Sequence, residues 1–148
     1  MNIKTASALF LVIIGTLLQL FIGDVKGAWF NFTLAALITL SFFCSFFEIL
    51  FLTLFALLVL NWQPGISLEL IIFGVMPIGA FFLRKLLPLE PLVGSILLSC
   101  AGIIVLYILF GIHIITNNPV LFLSDIVMSL AYSAVVFKTM SLFFEAES

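Results

Sequence analysis

Apolar residues run along this chain in long blocks, separated by short polar punctuation. A membrane-crossing helix needs about 20 mostly apolar residues to cover about 30 Å of hydrocarbon. The first block, residues 6–23, follows the head Met1-Asn2-Ile3-Lys4 and precedes a polar turn at Asp24-Val25-Lys26-Gly27. Its positive start resembles a signal sequence. No small-x-small cleavage site follows, and the chain downstream is equally apolar, so the block reads as a retained first helix.

The next block, residues 28–60, holds 33 residues and one ionisable group, Glu48. A single straight helix of that length would extend about 50 Å, well beyond the hydrocarbon layer. The length therefore predicts two helices, 30–46 and 48–60, with Glu48 at the turn between them. No Gly, Pro or Asn marks a turn between Phe32 and Leu60, so one long tilted helix, giving five spans in all, is the alternative.

Punctuation is clearer beyond this point. Asn61-Trp62-Gln63-Pro64-Gly65 is a loop, with Trp62 suited to the membrane interface. Ser67 before Leu68-Glu69 is a helix start, and Gly74, Pro77 and Gly79 predict a kink in the fourth span, 68–83. Arg84-Lys85 closes that span, and Pro88 and Pro91 bracket the following loop. The fifth span is 92–111. His113 and Thr116-Asn117-Asn118-Pro119 form the next loop, the sixth span is 120–144, and a short acidic tail ends the sequence. The pattern predicts an all-α polytopic membrane protein, one domain over residues 1–148, built as a bundle of six transmembrane helices.

Composition and charge agree. The chain is 65% hydrophobic and 8% charged, against about 45–50% and about 25% for soluble domains, and its mean hydropathy is +1.45. Its few charges could not solvate a soluble globule of this size. That argues against a cytosolic enzyme, a disordered segment and a nucleic-acid binder, which needs a basic surface; the lipid bilayer is the expected surrounding. Basic residues stay preferentially on the cytoplasmic side. Six spans with both termini cytoplasmic put Lys4, Arg84, Lys85 and Lys138 inside and leave only Lys26 outside, partly offset by Asp24.

Candidate chemistry is sparse. His113 is the single histidine, and no Gly-x-Ser-x-Gly elbow, His-Glu-x-x-His pair or glycine-rich phosphate loop is present. One histidine cannot supply bis-His haem ligation. Cys44 and Cys100 lie far apart in apolar runs without ligand spacing and read as small buried hydrophobes. The expectation is no enzyme, no cofactor and no metal.

Polar groups inside the spans carry more information. Asp125, Ser129 and Ser133 recur every four residues and form one stripe on the sixth span. Such a stripe faces other helices, a cavity or a partner. On the fifth span, Ser95, Ser99 and Gly102 make a face of small residues that lets a helix approach closely. Glu69 has a simpler explanation, since an acid in a first helical turn is favoured by the helix dipole. Asn31-Phe32-Thr33 matches a glycosylation acceptor but falls at a membrane boundary.

The layout resembles the bacterial rod shape-determining protein MreD family: six short spans, very apolar second and third helices, and a polar-Gly turn before the fourth. The matching stretch is Leu57-Leu58-Val59-Leu60-Asn61-Trp62-Gln63-Pro64-Gly65-Ile66-Ser67-Leu68. Asn61 stands where family members commonly carry Asp, and Gly65 fits the family glycine. Lys138 near the end of the last helix is similar too. The resemblance implies a non-catalytic scaffold of the cell-wall elongation machinery in the bacterial cytoplasmic (inner) membrane. It also implies association with the bitopic protein MreC and, through it, with actin-like MreB and the wall-synthesising enzymes. The family's fold is similar to that of the substrate-binding subunits of energy-coupling-factor vitamin transporters, which makes such a subunit the rival reading. An accessory subunit of another membrane complex is a third.

Overall fold

A computed structural model of the chain describes residues 3–26, 31–61 and 67–145, and every element among them is helical. In chain order these are α1 (Ile3–Lys26), α2 (Phe32–Leu40), α3 (Phe46–Leu60), α4 (Leu68–Leu83), α5 (Pro91–Phe110), α6 (Ile112–Asn117) and α7 (Pro119–Glu145). Three of them, α1, α5 and α7, are long and apolar enough to cross a membrane, and α3 and α4 are shorter apolar helices. The chain is a membrane protein by this measure.

Local sequence explains the boundaries. Ser67 starts α4 by accepting the Leu70 N–H at 3.3 Å, and Glu69 sits in its first turn. Pro91 opens α5 and Pro119 opens α7, positions where the missing N–H of proline costs no hydrogen bond. The α4 helix continues through Pro77 to Leu83. At the start of α3, Glu48 Oε2 accepts both the backbone N–H and the hydroxyl of Ser45, each at 2.8 Å. This is the Ser-x-x-Glu capping arrangement.

Several sequence expectations are corrected here. The break in the 33-residue run falls at residues 41–45, not at Glu48, which lies inside the first turn of α3. The second helix has 9 residues, about 14 Å of rise, far short of the 30–46 span expected. Asp24 to Lys26 continue α1 instead of forming a turn, and His113 lies in the short helix α6. Gly65, Trp29, Trp62 and the last residues of the acidic tail lie outside the described residues.

Contacts between helices define the two ends of the bundle. At one end the Thr5 hydroxyl of α1 donates to Glu48 Oε1 of α3 at 2.7 Å. The Arg84 guanidinium, just beyond α4, donates to the Ser41 carbonyl just beyond α2. Phe46 of α3 packs on Phe81 and Phe82 of α4, and Phe137 of α7 packs on Phe43 with ring centroids 4.8 Å apart. So α1, α3 and α5 run one way, and α2, α4 and α7 run the other.

The core is centred on α2, which touches α1, α3, α4, α5 and α7. Every one of its residues is buried. A helix that is apolar all round belongs inside, and that is why its sequence carries no amphipathic stripe. Close approach by α5 uses Gly102: a Cβ there would lie 2.8 Å from Ile38 Cδ1.

Candidate functional site: the polar seam around α2

A short helix inside an apolar bundle leaves unpaired N–H groups at one end and unpaired carbonyls at the other. With little water at that depth, each must find a partner in the protein. Polar side chains of the neighbouring helices supply partners at the N-terminal end, and local backbone turns supply most of them at the C-terminal end.

At the N-terminal end the supplier is Asp125 of α7. Its Oδ1 accepts the Asn31 backbone N–H at 2.9 Å and the Ser129 hydroxyl at 2.8 Å. Its Oδ2 accepts Asn31 Nδ2 and the Tyr107 hydroxyl, both at 2.7 Å. Four donors occupy a carboxylate that offers about four acceptor positions. Gln19 Oε1 of α1 accepts the Thr33 N–H at 3.2 Å, and the Thr33 hydroxyl donates to Thr16 Oγ1 at 3.2 Å. The carboxylate also faces the positive end of the α2 dipole. Asp125, Ser129 and Ser133 are all 0% exposed.

In the last turn of α2, at Thr39, the partners are hydroxyls. Thr39 and Ser133 lie 2.6 Å apart oxygen to oxygen, and Ser133 and Ser99 lie 3.4 Å apart. The Thr39 hydroxyl also donates back to the Ala35 carbonyl at 2.8 Å. Ser95 is buried and donates to the Leu92 carbonyl of its own helix at 2.8 Å. Three helices thus meet at one hydroxyl, Ser133.

At the C-terminal end the backbone does most of the capping. The N–H groups of residues 41–44 return to the carbonyls of Leu37, Ile38, Thr39 and Leu40, and the Ser41 hydroxyl donates to the Ile38 carbonyl at 2.6 Å. Arg84 adds a positive charge at the negative end of the dipole, and its guanidinium carbon lies 4.2 Å from the centre of the Phe81 ring. Beside it, burial first and then the Glu48 carboxylate push the Cys44 thiol up to about 12. The thiol is free and buried.

The residues singled out in the sequence are therefore placed as follows. Asp125 and Ser129 come together, and Ser133 comes together with Ser99. Ser95 lies in the same buried face of α5 as Ser99, and Gly102 faces α2. The helices they grip belong to this chain. Asn61 caps α3 through its N–H to the Leu57 carbonyl at 2.9 Å, away from the seam. The seam roles of Asn31, Tyr107, Thr39 and Arg84 were not read from the sequence. Asn31 is 94 residues from Asp125, and no spacing rule links them, although a buried Tyr hydroxyl always calls for an acceptor. Asn31 is buried, which removes it as a glycan acceptor in the folded chain.

Among the described residues no three His, Cys, Asp or Glu side chains gather as metal ligands. Thr53 Oγ1 on α3 is the one buried side-chain oxygen or nitrogen among them without a hydrogen-bond partner. Comparisons of the chain with protein-family models, with curated proteins and with solved structures return no match.

Proposed function

We propose that this chain is a non-catalytic membrane scaffold that crosses the bacterial inner membrane six times, with both ends cytoplasmic and α2 as the short inner pass. One observation carries the reading: the polar groups of the seam are bonded to one another and used to hold α2 in place. A carboxylate with its four acceptor positions occupied by donors of the same fold (Asn31, Tyr107, Ser129) is built for holding, not for turnover. The topology is supported by the position of Lys4, Arg84, Lys85 and Lys138 toward the same end of the bundle, with Lys26 at the opposite end of α1.

The cell-wall elongation setting rests on the MreD resemblance. In that setting an MreC-like bitopic partner docks on the outer faces of the bundle, because the small and polar faces of α5 and α7 are occupied by α2. The test is co-purification in mild detergent with MreC from the same cell, together with depletion of the chain in its host scored by cell shape. Retention of the partner and rounding of rod-shaped cells are the expected results. Loss of co-purification together with saturable binding of a vitamin would move the chain to the transporter-subunit class.

A further inference from the structure

The lipid-facing side of the bundle is not the same height all round. Between the polar residues that bound them, α1 runs from Lys4 to Asp24, α5 from Glu90 past Phe110 and α7 from Asn118 to Lys138, each about 30 Å, which matches a hydrocarbon layer of about 30 Å. The α3 and α4 pair is different. Its helices have 15 and 16 residues, and polar groups bound both: Glu48 and Asn61 on α3, Glu69 and Arg84-Lys85 on α4. Glu48 to Asn61 rises about 20 Å and Glu69 to Arg84 about 22 Å.

Between those limits the surface is apolar and open, with Phe51, Leu54 and Leu58 exposed on α3 and Ile71, Val75 and Phe82 exposed on α4. Tilting either helix lowers its vertical height further, so tilt cannot make up the shortfall of about 8 Å. Glu48, bonded to Ser45 and Thr5, lies level with the start of α1, so the shortfall falls at the opposite end, where Asn61 and Glu69 stand. Glu69 and Lys85 are exposed, and ionised groups at these depths draw headgroups and water inward.

We infer that the α3–α4 face is a surface for a thinned bilayer: it takes lipid with short acyl chains, or compresses ordinary lipid locally, while the α1, α5 and α7 side meets lipid of normal thickness. The inference needs only the membrane setting and stands apart from the scaffold reading.

The test uses the full chain in phosphatidylcholine vesicles, with Trp29→Phe and Trp62→Phe as background. A single tryptophan reporter is placed on either face, Val75→Trp on α4 or Val127→Trp on α7; both positions are exposed and keep an apolar side chain. Quenching by brominated dioleoyl lipid is measured in competition with dimyristoleoyl, dioleoyl or dierucoyl lipid. At Val75→Trp the short chains are preferred over the long by about threefold or more, and at Val127→Trp that preference is absent or reversed. Adding Glu69→Leu with Lys85→Leu moves the Val75→Trp optimum to longer chains. The same optimum at both reporters, or an optimum unmoved by the two leucines, overturns the inference. Absence of quenching at Val75→Trp by every lipid, with normal quenching at Val127→Trp, overturns it too, because protein and not lipid then covers the face.

Discussion

The two ends of α2 solve the same problem by different means. At the N-terminal end, Asn31 and Thr33 depend on side chains from elsewhere in the chain: Asp125 from α7, Gln19 from α1, and Tyr107 steadying the carboxylate. At the C-terminal end the chain turns back on itself, and its own N–H groups return to the last carbonyls of the helix before Arg84 is added. A helix end can thus be closed locally, by turn geometry, or from a distance, by a buried charge. The distant solution costs more to desolvate and far more to disrupt, because removing the acceptor strands several donors at once.

That difference orders the expected effects of substitution. Asp125→Ala leaves the Asn31 N–H, Asn31 Nδ2 and the Tyr107 and Ser129 hydroxyls without their acceptor and should destabilise the bundle by about 3 kcal/mol or more, measured by reversible unfolding in mixed micelles. Asp125→Asn should be milder, since it keeps one oxygen acceptor. A result near zero for the alanine variant would mean that water reaches this end.

At the level of Thr39, Ser99→Leu forces a large side chain against Ser133 and should cost about 1–3 kcal/mol in the same assay. It should exceed Leu98→Ala, whose side chain is only partly buried. Equal tolerance of both would place this face of α5 in contact with lipid. At the C-terminal end, Arg84→Met should cost about 1 kcal/mol, because the backbone already caps the helix and only one hydrogen bond and the contact with Phe81 are lost. An effect as large as that of Asp125→Ala would erase the distinction between the two ends.

The smallest effect concerns Cys44. With its thiol pushed up to about 12 by burial and Glu48, almost none of it is thiolate at pH 8, so in a Cys100→Ala background a water-soluble maleimide should label it only after denaturation. Labelling of the folded protein at pH 8 would show the turn to be open.

How far these features could be read in advance depends on how local they are. The limits of α4 follow from Ser67-x-Glu69 at one side and Arg84-Lys85 at the other, and its expected span, 68–83, coincides with the helix. The Asp125, Ser129, Ser133 stripe was equally visible, because four-residue spacing on a helix is a property of a short stretch. The break at 41–45 was less so. It carries no Gly, Pro or Asn, and its one signal, Ser45 three residues before Glu48, is a capping pattern that identifies Glu48 as part of a helix start and not as the turn itself. The role of Asn31 and Arg84 could not be read at all, since each acts across a sequence separation that only the fold closes. The length of α2 is of the same kind: its N-terminal end is met by Asp125 from α7, 94 residues away.

The central claim is that α2 is an inner helix held at both ends by the rest of the chain. Hydrogen–deuterium exchange of the full chain in lipid nanodiscs tests it most directly. The amides of 32–40 should exchange only with global unfolding, slower than those of 112–117, which lie in a helix with no buried residue. Asp125→Ala should release the protection first at 31–34. Exchange of 32–40 as fast as that of 112–117 in the unsubstituted protein would contradict the account.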